Sequence, residues 1–194
     1  MLTNKLPEFN MIINEHSPHI IGVSEVLPKS FSNKIYAEEF QIDGYEMFCH
    51  KNITENKDRG TILCIKDELI KKEVTLGNEN LFEENIIAEI SLNGKNRLIC
   101  ALIYRRGKSD EENNTNLLLL FNELSRMNPS HLLIMGDLNL TEIDWVNQRC
   151  KTNNKEDINF KFLECIRDCY LFQHVTEPTR QRGQNQPSTL MRNI

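Results

Sequence analysis

The chain has 194 residues, a net charge of −5 and a pI near 5.6, with 39% hydrophobic and 26% charged residues. These proportions are typical of a folded globular chain. The acidic balance excludes a generally basic nucleic-acid coat, so binding to a polyanion requires a local positive patch or a bridging metal ion.

The start of the chain, MLTNKLPEFN, has two charged residues and a proline where a secretory signal would have an apolar segment. The longest apolar run, Leu98 to Tyr104, is far shorter than a membrane span. Six cysteines lie mostly within apolar segments and form no C-x-x-C pair, which favours reduced core thiols over zinc or disulfides. We therefore expect an intracellular protein, neither secreted nor membrane-bound, and leave nucleus or cytoplasm open.

The first third of the chain predicts one helix and three strands. Apolar residues at helical spacing, Ile12 and Ile13 among them, predict an amphipathic helix over residues 4–16. The segment PHIIGVSEV predicts a short buried strand over residues 20–23, followed by Ser24 and Glu25. GYEMFCH and GTILCIK are bounded by glycine and polar residues and predict two further strands.

The segment NIIAEISLNGKNRLICALIY predicts a hairpin, because Asn93-Gly94 separates two apolar strands and is the preferred pair of a type I′ turn. The second of these strands is apolar on both faces. Such a pattern is typical of a strand in the middle of a packed sheet.

The remaining segments predict a helix, a strand and a last helix. NTNLLLLFNELSRM predicts a helix with Asn114 or Thr115 near its N-cap, HLLIM a strand, and NFKFLECIRDCY a helix. The mixed order of elements favours a single α/β domain over residues 1–194, a layered α/β sandwich with a largely antiparallel or mixed sheet core. The apolar residues predicted on the buried face of the last helix are Phe162, Leu163, Ile166 and Cys169.

Polar residues follow three of the apolar strands. IIGVSE ends at Glu25, LICALIY ends at Tyr104 and Arg105, and HLLIMGDLN ends at Asp137 and Asn139. Functional side chains are common on loops that leave a rigid sheet, because the sheet fixes their positions. Two carboxylates held close together favour a bound cation, and Mg²⁺ accepts one or two carboxylates together with waters and substrate phosphate.

These side chains suit phosphate chemistry. Asp137 is expected to be ionised, since an aspartate has a reference pKa of about 3.9, and could orient or deprotonate a water. Asn139 and Tyr104 could donate hydrogen bonds to a phosphate whose charge grows in the transition state. Each residue can also be explained without a function. Glu25 would be a solvated loop residue, Asp137 and Asn139 would form an Asx turn, and Tyr104 would be a half-buried packing residue.

A family resemblance joins these features. IIGVSEV, RGTILCIK, LICALIYRRG, LLIMGDLNLTEIDW and the PTR and PSTL segments follow one another as in the endonuclease/exonuclease/phosphatase superfamily. More narrowly, the chain resembles the endonuclease domain of non-LTR retrotransposon polyproteins. The resemblance implies that Asp137 activates water, that Asn139 binds phosphate, that Glu25 is a metal ligand and that Tyr104 is the active-site tyrosine.

The resemblance is incomplete at both ends. The family's first strand, which carries an asparagine, would precede LTNKLPEF, whereas PSTL is followed here by Met191 to Ile194 rather than by a later Ser-Asp-His. These differences favour a truncated domain that lacks the first and last strands, with impaired activity.

Three functions remain open at this point. The first is a DNA endonuclease of retrotransposon origin that depends on Mg²⁺ or Mn²⁺ and uses no small-molecule cofactor. The second is a non-catalytic remnant that binds nucleic acid or a protein, and the third is a phosphatase or deadenylase of the same superfamily. Arg105 and Arg180 are candidate contacts to nucleic-acid phosphates, with solvated loop charges as the alternative.

Overall fold

The computed structural model describes residues 6–27, 37–50, 59–77 and 82–175. Within these ranges there are three α-helices: α1 (Leu6–His16), α2 (Glu111–Arg126) and α3 (Ile158–Asp168), together with a short 3₁₀ helix (Ala37–Phe40). None of these helices has the length and apolar character needed to cross a membrane. The strands are β1 (Ile20–Ser24), β2 (Tyr45–Cys49), β3 (Thr61–Lys66), β4 (Lys71–Glu73), β5 (Asn85–Ser91), β6 (Arg97–Tyr104), β7 (His131–Asp137), β8 (Ile143–Asp144) and β9 (Arg149–Cys150).

One sheet has three antiparallel strands in the order β1-β3-β2. The central strand, β3, is buried along nearly all its length because it has a neighbour on each side and a hydrophobic layer on each face. The register pairs Ser24 at the end of β1 with Thr61 at the start of β3. The carboxyl end of β1 therefore lies beside the amino end of β3.

The other main sheet has four strands in the order β4-β5-β6-β7. Strands β4, β5 and β6 are antiparallel, whereas β7 runs parallel to β6 after the helical connection through α2. Strand β6 is central, in agreement with its apolar pattern on both faces. The parallel register pairs Tyr104 with Asp137, so both strands end at the same edge.

The two sheets pack face to face between helical layers, and this confirms the predicted layered α/β fold with mixed strand directions. One hydrophobic cluster lies between the sheets and contains Leu63, Leu102 and Met135. A second joins the four-stranded sheet to α2 and α3, and a third joins the three-stranded sheet to α1. Gly22 allows close sheet packing, since a Cβ there would lie 2.9 Å from Leu102 Cδ1.

The turn between β5 and β6 differs from the predicted type I′ turn. Leu92 N–H donates to the Asn96 carbonyl at 2.9 Å, which closes a three-residue loop over residues 93–95. Gly94 has a positive φ of 74°, but Asn93 is not among the residues with positive φ. A type I′ turn requires positive φ at both central residues, so the predicted hairpin exists with a longer loop.

The helix boundaries and buried faces also differ in detail. Asp110, rather than Asn114 or Thr115, is the N-cap of α2, because its carboxylate accepts the Asn113 N–H at 2.8 Å. Ile12 on α1 is exposed, whereas Ile13 is buried. In α3 the predicted Phe162, Leu163 and Ile166 are buried, while Cys169 is the half-buried C-cap.

All six cysteines are free thiols, in agreement with the expected reduced state. Cys64, Cys100 and Cys165 are buried. Burial raises the pKa of each of these three thiols to about 12. A thiol with so high a pKa is a poor nucleophile at neutral pH, so these cysteines act as core residues.

Candidate active site

The polar strand ends predicted from the sequence meet at one edge of the two-sheet sandwich. Tyr104 ends β6 in one sheet, and Glu25 follows β1 in the other. The Tyr104 hydroxyl donates to Glu25 Oε1 at 2.8 Å and so connects the two sheets. Asp137 lies beside Tyr104 in the parallel register. Glu25 and Tyr104, which are 79 residues apart in the sequence, are thereby brought into contact.

The backbone presents Glu25 to this edge. Glu25 has a left-handed φ of 57° and is an extra residue in the β1–β3 pairing, since Ser24 pairs with Thr61 and Val26 N–H donates to the Gly60 carbonyl at 3.2 Å. Such a bulge redirects a side chain and is common beside active sites. The buried Val26 and Leu27 then anchor the chain that follows.

The Glu25 carboxylate has a donor on each oxygen. Oε1 accepts from Tyr104, and Oε2 forms an ion pair with Arg59 Nη1 at 2.5 Å. The Glu25 side chain is 40% exposed and that of Arg59 is 24% exposed, so solvent reaches the pair. Burial and the hydrogen bond to Glu25 together raise the pKa of Tyr104, which therefore remains a neutral donor at physiological pH.

A tight turn positions Asp137 and Asn139. Gly136 has a φ of 145°, and a Cβ there would lie 1.7 Å from the Ile103 carbonyl oxygen, so only glycine fits. Asn139 has a left-handed φ of 50°, a conformation that asparagine tolerates better than most residues. Its N–H donates to Asp137 Oδ1 at 3.1 Å, and its side-chain amide donates to the Arg105 carbonyl at 2.8 Å.

Arg105 occupies a different environment from the one expected. Its side chain is 3% exposed, and its guanidinium donates to Asn114 Oδ1 at 2.8 Å and to the Leu138 carbonyl at 3.1 Å. Burial lowers the pKa of the guanidinium. Arg105 thus connects the Asp137–Asn139 turn to α2, and its expected contact to a nucleic-acid phosphate stays a prediction. Arg180 lies outside the described residues.

Sequence reasoning missed two charged residues at the site. Arg59 directly precedes the glycine that leads into buried strand β3, which was the available signal. Glu84 is 2% exposed, and its carbonyl accepts the Tyr104 N–H at 3.1 Å. Its charge contributes to the raised pKa of Tyr104, after the larger effects of burial and Glu25. A carboxyl just before an amphipathic strand resembles an ordinary loop residue, so no pattern distinguished it.

The donor chemistry at this edge fits a hard divalent cation. Within the described ranges, no three His, Cys, Asp or Glu side chains are gathered into a complete metal-binding group. Magnesium does not require one, because it is usually held by one or two carboxylates, with waters and substrate phosphate as further ligands. Glu25 offers such a carboxylate at this edge, with its side chain 40% exposed.

The chain belongs to the Endonuclease/Exonuclease/phosphatase family, whose sequence profile matches residues 8–194. No curated protein sequence matches the chain significantly.

Two solved structures with TM-scores above 0.6 share the fold at low sequence identity. The endonuclease domain of TRAS1, a telomere-specific non-LTR retrotransposon, is 14% identical with a TM-score of 0.61, over 96% of this chain and 75% of that domain. The AP endonuclease LMAP from Leishmania major is 15% identical with a TM-score of 0.62, over 87% of this chain and 62% of that one. A truncated Caenorhabditis elegans TDP2 is 17% identical with a TM-score of 0.46, and the match spans 70% of this chain and 55% of TDP2.

Proposed function

We propose that this chain carries the site of a magnesium-dependent phosphodiesterase that hydrolyses DNA, as an endonuclease domain of retrotransposon origin. The observation that carries the proposal is the hydrogen bond from Tyr104 to Glu25, which brings a carboxylate of one sheet to the polar strand ends of the other. The side chains proposed as metal ligand, water-orienting group and phosphate ligand all lie at or just after the last residue of strands that end at this sheet edge.

Glu25 is the residue proposed to hold the cation. Bound Mg²⁺ would polarise the phosphate and neutralise negative charge that develops on its oxygens. Tyr104 fixes the carboxylate by donating to Oε1, and Oε2, which pairs with Arg59, is the oxygen proposed to bind the cation. Mn²⁺ also accepts oxygen ligands and is expected to substitute.

Asp137 is the residue proposed to orient and deprotonate the attacking water. The Asn139 N–H holds one carboxylate oxygen at 3.1 Å, which fixes the orientation of the acid. In the proposed reaction the water oxygen forms a new bond to phosphorus, Asp137 takes a proton, and the electrons of the broken P–O ester bond leave with the sugar oxygen. No covalent intermediate with the protein is needed.

Asn139 is the residue proposed to bind the phosphate. One side-chain N–H donates to the Arg105 carbonyl, and this bond orients the amide. An asparagine amide carries two N–H donors, so the second can donate to a phosphate oxygen. A donor held in place before the reaction stabilises growing charge without reorganisation.

DNA is proposed as the substrate because two fold neighbours with TM-scores above 0.6 are, by name, a retrotransposon endonuclease domain and an AP endonuclease. The acidic net charge of −5 favours a local, metal-bridged contact over a broad basic surface. A phosphatase or deadenylase activity remains the alternative within the family.

The test is nicking of supercoiled plasmid by the purified chain with Mg²⁺, beside variants Asp137→Asn and Glu25→Gln. We expect magnesium-dependent nicking that Asp137→Asn reduces by about a thousandfold, since loss of a catalytic group in a concerted site typically costs this much. Glu142→Gln is the matched control, because Glu142 is exposed and follows β7 without belonging to the proposed site.

Each result has a definite meaning. Nicking that survives Asp137→Asn and Glu25→Gln would contradict the proposed site. No nicking by the wild-type chain, combined with metal-dependent binding of duplex DNA, would favour the non-catalytic binding alternative. Release of inorganic phosphate from phosphomonoesters without plasmid nicking would favour a phosphatase.

A further inference from the structure

We propose that Arg59 is a displaceable counter-charge that occupies Glu25 until a metal ion arrives and then transfers to a phosphate of the nucleic acid. The inference rests on the proposed function, because it assumes that Glu25 is the metal ligand. It assigns to Arg59 a part in ordering metal and substrate binding.

The ion pair is part of the fold rather than a chance surface contact. Leu27 N–H donates to the Arg59 carbonyl at 2.7 Å, and Val26 N–H donates to the Gly60 carbonyl at 3.2 Å. Val26 and Leu27 are fully buried, so the backbone on both sides of the pair is anchored. The pairing of Ser24 with Thr61 extends this anchoring into β1 and β3.

The side-chain ends, in contrast, are accessible. Glu25 is 40% exposed and Arg59 is 24% exposed, while their backbones are held by the bonds described above. An arginine side chain has several rotatable bonds, and ion pairs that water reaches are weaker than buried ones. The guanidinium can therefore leave the carboxylate without disturbing β1 or β3.

A metal ion and Arg59 compete for the same oxygen. Tyr104 already donates to Oε1, and Arg59 Nη1 lies 2.5 Å from Oε2. A divalent cation bound to Oε2 would meet the guanidinium at a distance where like charges repel strongly, even in a high effective dielectric. Metal binding at Glu25 therefore requires Arg59 to move.

A phosphate is the natural second partner for the displaced guanidinium. Arginine presents a planar set of N–H donors that match two oxygens of a phosphate. The proposed reaction brings a phosphate to the same edge, beside the cation that Glu25 holds. Metal binding would then free the Arg59 guanidinium to bind the phosphate of the substrate. Metal and DNA should therefore bind cooperatively.

Cooperativity of this kind is reciprocal. If DNA tightens metal binding by a given factor, the metal must tighten DNA binding by the same factor. Without DNA, metal binding is weakened because the Glu25–Arg59 ion pair must break and Arg59 finds no new partner. With DNA, the Arg59 guanidinium binds a phosphate instead, so metal binding is stronger. Removal of Arg59 should abolish this coupling and at the same time strengthen metal binding in the absence of DNA.

The experiment measures Mn²⁺ and Mg²⁺ affinity by calorimetry, with and without a phosphorothioate DNA duplex that resists hydrolysis. Wild type is compared with Glu25→Gln, Arg59→Gln and Arg59→Lys, and each variant is checked by circular dichroism and thermal unfolding. Arg149→Gln is the matched control, since Arg149 forms an ion pair with Asp144 at 3.2 Å and is 72% exposed. It removes the same charge from an ion pair of another sheet.

We expect Arg59→Gln to bind metal roughly three- to tenfold more tightly than wild type without DNA. The same variant should lose the DNA-dependent gain in metal affinity. Arg59→Lys keeps the charge but not the planar donors, so its metal affinity without DNA should stay near that of wild type while its DNA-dependent gain shrinks. Arg149→Gln should change neither quantity.

Unchanged or weaker metal binding by a folded Arg59→Gln, with binding abolished in Glu25→Gln, would overturn this inference and leave the proposed metal site intact. Metal binding that survives Glu25→Gln would overturn both. Should Arg59→Gln fail to fold, the Arg59→Lys variant decides, because an undiminished DNA-dependent gain there contradicts transfer of the guanidinium to phosphate.

Discussion

The two halves of the candidate site are built in different ways. The half on the four-stranded sheet, residues 136–139, is the end of β7 and the turn that follows it: Gly136 lies against the Ile103 carbonyl, and buried Arg105 donates to the Leu138 carbonyl. The half on the three-stranded sheet is a bulge that presents the partly exposed Glu25–Arg59 ion pair. The first half has little freedom to move, and the second can exchange partners.

This difference suits the two kinds of work proposed for the site. A residue that orients water and a residue that binds phosphate gain from a fixed position, because misplacement of catalytic groups costs rate. A residue that receives and releases a cation gains from an accessible side chain whose present partner can leave. The buried bonds of Val26 and Leu27 confine this freedom to the side chains of the second half.

The largest effect should come from breaking the rigid half. Gly136→Ala places a Cβ 1.7 Å from a backbone oxygen at a φ of 145°, so the strand or the turn must shift. We expect a loss of roughly 3 kcal/mol or more in the free energy of unfolding, since strain of this kind falls among the severe point mutations. Urea denaturation followed by circular dichroism measures the loss.

Gly77→Ala is the control for that change, because a Cβ there meets nothing within 4 Å and the residue has no positive φ. It should alter the free energy of unfolding by no more than about 0.5 kcal/mol. Equal stability of the Gly136→Ala and wild-type chains would show that the turn is adaptable, and the contrast between the two halves would fail.

A smaller loss of stability should come from weakening the hydrogen bonds that Arg105 makes beside the same turn. Arg105→Lys keeps a positive charge but cannot reach Asn114 Oδ1 and the Leu138 carbonyl with one planar group. We expect a loss of about 2 kcal/mol, as is typical when a hydrogen bond to a buried charged group is removed. Thermal and urea unfolding give the value.

The neighbouring Arg106→Lys is a matched control, since Arg106 is exposed. It should stay within about 0.5 kcal/mol of wild type. If both variants were equally mild, Arg105 would not brace the turn, and its burial would be incidental to the site.

The fold was largely predictable because hydrophobic pattern decides which segments form strands and helices. The two apolar faces of β6 indicated its central place, and the predicted segments of β1, β2, β3 and β7 are strands. The turn over residues 93–95 was not predictable in the same way, because an Asn-Gly pair fits several loops. The choice among them depends on the register of the flanking strands.

The candidate site was predictable only in part. Polar residues at strand ends pointed to Glu25, Tyr104, Asp137 and Asn139, and the structure brings Glu25 and Tyr104 into direct contact. The burial of Arg105 was not predicted, because an arginine after a strand resembles a surface charge and burial depends on tertiary packing. Arg59 was missed because its partner, Glu25, lies 34 residues earlier in the chain, and no local sequence pattern indicates a pairing over that distance.

The smallest expected effect concerns the bond that connects the two halves. Tyr104→Phe removes the hydroxyl that donates to Glu25 Oε1 at 2.8 Å but keeps the buried ring. We expect a loss of about 1 kcal/mol in the free energy of unfolding, as for a typical hydrogen bond. Because the folded pKa of Tyr104 is raised, this contribution is fully present below the unfolded pKa of about 10 and is lost as pH rises through the folded pKa.

Titration of tyrosinate absorbance should accordingly show one fewer late-ionising tyrosine in Tyr104→Phe. The exposed Tyr170→Phe is the control, and it should leave the late-ionising Tyr104 in place. If Tyr104→Phe removed an early-ionising tyrosine instead, the hydroxyl would be solvated, and the two halves of the site would not be coupled through it.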